Sequence, residues 1–300
     1  MKRQTCTNCG AQLINGKKFC PQCGTENNIK RISGSKKKTL IIVFSVIILS
    51  LSLFFILFFT LFPLTTIKSN GLIFKKSYDN TYTCTIEKYS TKVNVPEKVR
   101  GIPVTGLNIC KGCNVPISIP DTITVVWFQS DDGTYNTFYD RDYEHYNVYD
   151  NGLYLGNNTN PYVYLVWCKN KNSASCTINN NCKAIGWHAF YSSYIEEIVI
   201  PNSVTKIGTG AFGYCSKLKS VKISNSIKYL ELGSWFDGCR NIEKMYIYQG
   251  AESIYKSSYY TVIINQIIFD GTIKQWKSIR GYDDLNDTKI QCNDGTIIPE

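Results

Sequence analysis

Residues 182–223 read CKAIGWHAFYSSYIEEIVIPNSVTKIGTGAFGYCSKLKSVKI, and the reading of this stretch decides the fold. Ile185-Gly186-Trp187-His188-Ala189-Phe190 is echoed by Ile207-Gly208-Thr209-Gly210-Ala211-Phe212, and a looser copy ends in Trp235-Phe236. The three Phe residues fall 22 and then 24 positions apart. Behind each comes an apolar anchor (Ile195, Leu218, Ile242). A strand-like triplet follows: Ile198-Val199-Ile200, Val221-Lys222-Ile223, Met245-Tyr246-Ile247. Cys215 and Cys239 occupy matching slots. One such unit offers an apolar edge too small to bury alone, whereas stacked units bury a continuous core. The pattern therefore predicts a Phe190–Phe212–Phe236 ladder and a parallel sheet of triplets. The outer residues of each triplet should face the core and the middle one should face out.

A period of about 20–29 residues with one short strand per unit is that of a leucine-rich-repeat solenoid. IVIPNSVTKIGTGAFGYCSKLKSVKIS (198–224) also resembles the BspA-like (type 5) leucine-rich repeats of bacterial and protozoan surface proteins. GIPVTGLNICKGCNVPISIPDTIT (101–124) is a degenerate copy of the same unit, with Ile119-Pro120 matching Ile200-Pro201. YDNGLYLGNNTNPYVYLV (149–166) resembles the irregular module that interrupts these arrays. IIFDGTIKQWKSI (267–279) is similar to their terminal unit, with Phe269 in a slot that family fills with Tyr. The resemblance covers roughly 78–295 and is most specific over 182–250. Trp235 fills the Ala slot, and the first unit has Ser192-Ser193 where the others carry Cys. A less regular turn is expected near each.

The N-terminus is built differently. Cys6-Thr7-Asn8-Cys9-Gly10 and Cys20-Pro21-Gln22-Cys23-Gly24 are two C-x-x-C-G knuckles. Two residues between cysteines let one tight turn aim both sulfurs at a metal, and the Gly tolerates the backbone angle that turn needs. Two knuckles make a Cys₄ tetrahedron suited to Zn²⁺ through Cys6, Cys9, Cys20 and Cys23. So small a segment cannot bury a core, so metal binding would supply most of its folding energy. CTNCGAQLINGKKFCPQCGTEN (6–27) looks like the short zinc ribbon of many bacterial membrane proteins. That resemblance implies a closed, structural zinc site.

Residues 40–62, LIIVFSVIILSLSLFFILFFTLF, contain no charge, Gly or Pro. As a helix they extend about 35 Å, enough to cross a hydrocarbon core of about 30 Å. Nine basic residues and one acidic residue precede the run, while Lys68, Lys75 and Lys76 lie close behind it. The basic flank stays in the cytoplasm, which places the C-terminal body outside the cell. The formal net charge of +10 is therefore mostly a topology signal, since residues 68–300 carry 24 basic and 22 acidic side chains. The lysines of the head have no aromatic platform beside them, which argues against nucleic acid as a partner.

The organisation that follows is a zinc ribbon (1–28), a basic linker (29–38), a transmembrane helix (39–64), a second linker (65–77), and a repeat domain (78–282) with an irregular Tyr-rich module at about 128–181. A C-terminal cap or tail (283–300) ends the chain. Little supports catalysis: there is no nucleophile elbow, zincin motif or P-loop. His145 and His188 are the only histidines, and His188 sits inside the repeat unit as scaffold. Asp140-Arg141-Asp142-Tyr143-Glu144 begins like a calcium loop, but His145 and Asn151 replace its Gly and its final Glu. Asn157 and Asn286 head N-x-T sequons. Cys110-Lys111-Gly112-Cys113 has no second knuckle and reads as a turn. Cys215 and Cys239 read as buried thiols, with a disulfide between neighbouring coils as the alternative that geometry decides. Tyr135, Tyr139, Tyr143, Tyr146, Tyr149, Tyr154, Tyr162 and Tyr164 read first as strand packing and second as a contact surface. The expected function is non-enzymatic: a membrane-anchored surface protein binding a protein or glycan ligand, with Glu197, Lys222 and Tyr246 as exposed strand positions. The alternative is a transmembrane sensor that couples an external ligand to the ribbon.

Overall fold

The computed structural model of the chain describes residues 6, 8–12, 19–20, 22–26, 66–86, 92–110, 113, 115–129, 135–136, 145–256 and 259–299. The chain divides into two compact units, 1–63 and 64–300. The apolar run 40–62 and the basic linker lie outside the described residues. Among the described residues, no helix is long and apolar enough to cross a membrane.

The second unit opens with a hairpin. Thr66–Ser69 pairs antiparallel with Leu72–Lys76. The connecting Asn70-Gly71 has left-handed φ of 47° and 72°, the backbone that a two-residue hairpin turn requires. This segment reads as a linker from its position after the apolar run, but its strand pairing overrides that reading. Leu72 and Phe74 are buried, and they lie in register with Ile86 and Cys84 of the next strand, Tyr82–Ile86. From there the sheet continues in parallel through Ile102–Ile109 and Val125–Gln129. The degenerate upstream copy thus forms coils of the same kind.

The irregular module pairs Asn147–Tyr149, Gly152–Leu155 and Tyr164–Cys168 antiparallel. Every residue of Tyr164–Cys168 is buried, as befits a strand covered on both faces. Leu165 and Cys168 belong to the C-terminal core, whereas Tyr164, Val166 and Trp167 belong to the N-terminal one. The strand is therefore the shared wall between two apolar cores.

Beyond it, five strands pair in parallel in chain order: Glu197–Val199, Ser220–Lys222, Ile242–Tyr248, Ile264–Asp270 and Lys289–Cys292. The register places Ile198, Val221, Met245, Ile267 and Ile290 in one row, and all five are buried. Val199 and Lys222 point outward, so the expected in–out–in order of the triplets holds. The C-terminal segment is a cap: Gly295–Ile297 turns back antiparallel along the last strand. Just before it, Phe269 meets Trp276 edge-on at 5.3 Å. Thr272 caps the one-turn helix Ile273–Trp276 through reciprocal bonds with Gln275.

Opposite the sheet, the Phe ladder forms. Phe190–Phe212 and Phe212–Phe236 stack at 5.2 and 5.0 Å, with all three rings fully buried. The Phe190 and Phe212 amides donate to the carbonyl of the Ala slot one coil on, to Ala211 O at 2.7 Å and Trp235 O at 2.9 Å, whereas Phe236 N donates to Leu232 O within its own helical turn at 3.1 Å. The turn that follows each Phe needs left-handed residues, met by Ser192, Tyr214 and Gly238 with φ between 56° and 73°. Gly238 has a second reason to lack a side chain, because a Cβ there would lie 2.8 Å from the Tyr214 ring of the preceding coil.

The two expected irregularities resolve differently. At Ser193 the turn is regular. Ser193 is fully buried in the Cys slot, and its hydroxyl meets the Cys215 thiol at 3.3 Å, continuing the row that Cys215 and Cys239 form. A hydroxyl substitutes there because the slot needs a small group that can join a hydrogen bond. At Trp235 the coil does change. The longer third unit winds Leu232–Trp235 into one helical turn, which buries the indole.

Phe212→Ala should lower the unfolding free energy by about 3–5 kcal/mol, the usual cost of an emptied aromatic site. Urea unfolding checks this; a loss no larger than that of an exposed substitution would mean that the ladder does not hold the coils.

Candidate functional site

Two places in the chain concentrate chemistry, one in each unit. In the first unit the knuckles superpose in their bonding. Gly10 N donates to Cys6 O and Gly24 N to Cys20 O, each at 2.9 Å. Gly10 and Gly24 are left-handed with φ of 70° and 72°, which non-Gly residues adopt only at a cost. Cys6 N donates to Ala11 O and Cys20 N to Thr25 O, closing each loop.

This backbone brings the four expected ligands together: the sulfurs of Cys6, Cys9, Cys20 and Cys23 all lie within 4.8 Å of one another. Cys6–Cys23 and Cys9–Cys20 are each 3.7 Å apart. A tetrahedron with Zn–S bonds of about 2.3 Å has edges of about 3.8 Å, so the spacing fits a zinc-sized ion and is far too long for a disulfide. The donor set fits as well, since four thiolates are a soft, closed shell. The protonation states are already divided. Hydrogen bonds from the Thr25 hydroxyl and amide, with help from Cys9, bring the Cys23 thiol down to about 6. The Ala11 amide favours the Cys9 thiolate, but bonding to Cys23, burial and the other two cysteines outweigh it and push Cys9 up to about 12. Zinc bound here would supply the positive charge that lets all four ionise, and it leaves no open coordination position.

In the second unit the outward face of the parallel sheet carries two rows. One runs Glu197, Ser220, Lys244, Gln266, Lys289, and the next runs Val199, Lys222, Tyr246, Ile268, Gln291. Lys222 and Tyr246 are neighbours, with the ammonium 5.2 Å from the ring centroid. Glu197 lies one row away, in register with Ser220. The three expected contact positions thus share a face but not a row. Between coils other charges are matched: Lys219 pairs with Glu196 at 3.0 Å and Lys228 with Glu252 at 2.6 Å. Two further features sit at the carboxyl ends of these strands, Asn180 and Tyr248, which line a groove with Lys222. Spacing in the sequence gives no sign of them, because each belongs to a different coil.

The remaining candidates are structural. None of the thirteen cysteines is in a disulfide. Cys215 and Cys239 donate to the carbonyls of Phe190 and Phe212 at 3.1 and 3.0 Å, and their contact together with burial holds the Cys239 thiol well above its ordinary range. Burial pushes Cys84 and Cys182 up to about 12. Cys113 N donates to Cys110 O at 3.3 Å, the expected turn. His188 takes a left-handed φ of 52° and lies 4.6 Å from the Tyr191 ring; burial, then Lys171, lowers its pKa. Tyr154 and Tyr164 are buried and accept from the amides of Asn179 and Val126, which is strand packing. Asn157 spends its amide on Ile119 O and Asp121 at 2.9 and 3.1 Å. Residues 139–144, with the calcium-like acids, Tyr139 and Tyr143, lie outside the described residues.

The zinc-ribbon domain profile matches residues 5–27, and the BspA type leucine-rich repeat region matches 166–279 in six copies. No curated protein matches the chain. Among solved structures, a leucine rich cell surface protein from Faecalibacterium prausnitzii is 17% identical with a TM-score of 0.38, over 72% of this chain and 97% of that one. A leucine-rich repeat protein of T. pallidum is 19% identical with a TM-score of 0.30, over 68% of this chain and 86% of that one. The second unit is a parallel β-solenoid of leucine-rich-repeat type, and the first carries a four-cysteine cluster compatible with zinc.

Purified protein should contain one zinc per chain by elemental analysis. Cys20→Ser should lose that zinc on gel filtration while Cys110→Ser keeps it. Metal-free wild-type protein, or zinc retained in the Cys20 variant, would contradict the assignment.

Proposed function

We propose that this chain is a surface binding protein held by one membrane span at 40–62, with the zinc ribbon in the cytoplasm and the solenoid outside. The observation that carries the binding role is the outward sheet face. Its two rows hold charged, amide and aromatic side chains on a rigid backbone, and rigid repeat faces of this kind suit extended ligands. The topology rests on the uncharged run of 23 residues and on the nine basic side chains before it. Lys36-Lys37-Lys38 would meet the anionic inner leaflet and add to the anchoring. The ligand is a protein or a glycan, met by a nearly neutral body, so recognition relies on shape, aromatic contact and hydrogen bonds.

The paired knuckles favour a second reading, in which the ligand outside alters what the ribbon contacts inside. A folded metal centre is more than a display protein needs. Loss of a ligand-dependent response in Cys6→Ser, with the protein still in the membrane, separates this sensor from a display protein.

Protease added to intact cells should remove the solenoid and leave a membrane-protected fragment that contains the four-cysteine head. A solenoid left intact while a surface control is cut would reverse the topology.

A further inference from the structure

We propose that the groove at the carboxyl ends of the strands Glu197–Val199, Ser220–Lys222 and Ile242–Tyr248 binds a carboxylated sugar residue of a glycan. This deepens the reading of the solenoid as a binding body, and it does not depend on the membrane span.

The groove has a volume of about 440 Å³, within the range of small-ligand sites. Pro201, Asn202, Ser203, Lys222, Tyr248 and Asn180 line it. These polar groups are unspent. The Ser203 hydroxyl is buried and has no hydrogen-bond partner among the described residues, a state that costs free energy unless a ligand or water meets it. Among the described residues, the side chains of Asn180, Asn202, Lys222 and Tyr248 make no hydrogen bond to the protein. Lys219 and Lys228 on these coils are neutralised by cross-coil carboxylates. Lys222 is only steadied by the Tyr246 ring, and no carboxylate lines its groove.

The set defines the ligand. One ammonium with no acid beside it calls for a single negative charge. Two amides and two hydroxyls, which both donate and accept, call for a ring of hydroxyl groups around that charge. The exposed Tyr248 ring, beside Pro201, offers an apolar surface for the C–H face of such a ring. An acidic peptide side chain would engage Lys222 and leave the other groups unmet. A carboxylated sugar engages them together.

The repeat supplies its own comparison. Ile119-Pro120 occupies the same unit position as Ile200-Pro201, and a second groove lies there. Its lining includes Glu97 and Asp121 and no lysine, and Asn157 is already bonded to Ile119 and Asp121. The same backbone slot thus appears with opposite charge and with the Asn157 amide spent. The properties of the Lys222 groove come from its side chains and not from the coil geometry alone.

The test is calorimetric titration of the full chain in detergent with an oligogalacturonate and with its methyl ester. The uronate should bind, and the ester should bind at least about tenfold more weakly, the range expected for one charge-assisted hydrogen bond. Lys222→Met should weaken the uronate to a similar degree and leave the ester unchanged. Tyr248→Ala should weaken both, while Lys244→Met, outside the groove on the same face, should weaken neither. Lys222 is exposed, so the variant should unfold as the wild type does, which thermal melting verifies. No uronate binding, equal binding of the ester, or equal binding by the Lys222 variant would overturn the proposal. Protease shaving is read independently, so failure of the groove and failure of the surface topology are distinguishable.

Discussion

Phe212 lies between Phe190 and Phe236, and the interior of its coil is closed by those two neighbours. The Phe212 ring stacks on the ring before it and on the ring after it, at 5.2 and 5.0 Å. The backbone obeys the same condition at Phe190 and Phe212, whose amides bond to the next coil and not within their own. Apolar burial and hydrogen bonding are thus satisfied by one act, the stacking of coils about 22–24 residues long. An unstacked coil would expose both its ring and its amides, and buried polar groups must be paired for burial to be favourable.

The features that carry function are consequences of that stacking. Because coils repeat in register, side chains distant in sequence line up on the outward face, and Lys222 comes to lie beside Tyr246. The ends of the stack need closure, and an antiparallel strand at the C-terminal edge covers the last parallel strand. This protects an edge that would otherwise recruit further strands. The four-cysteine head meets the opposite condition. It is too short to stack anything, and its order depends on sulfur spacing that suits one metal ion.

Much of this was legible because the strongest signals are local or periodic. The Phe spacing and the triplets give the ladder and the sheet, and the knuckles give the metal set. What was misread follows from chemistry that letters conceal. Ser193 looks like a lost cysteine, yet its hydroxyl keeps the same place in the row. Residues 66–76 look like a linker from their position after an apolar run, although Asn70-Gly71 between alternating residues marks a hairpin. Glu197 is an exposed strand position like Lys222, but register sets it one row away, opposite Ser220. Asn180, Ser203 and Tyr248 belong to three different coils, so only the stacked structure brings them to one groove.

Amide hydrogen exchange tests the dependence on stacking most directly. The account predicts that the amides bonded between coils, including Phe190, Phe212, Tyr214 and Ile223, are protected together and open in concert, while Gly250 and Asp294 in the connecting turns exchange quickly. Inter-coil amides that exchange as freely as those turns, or coils that open with unrelated rates, would contradict it.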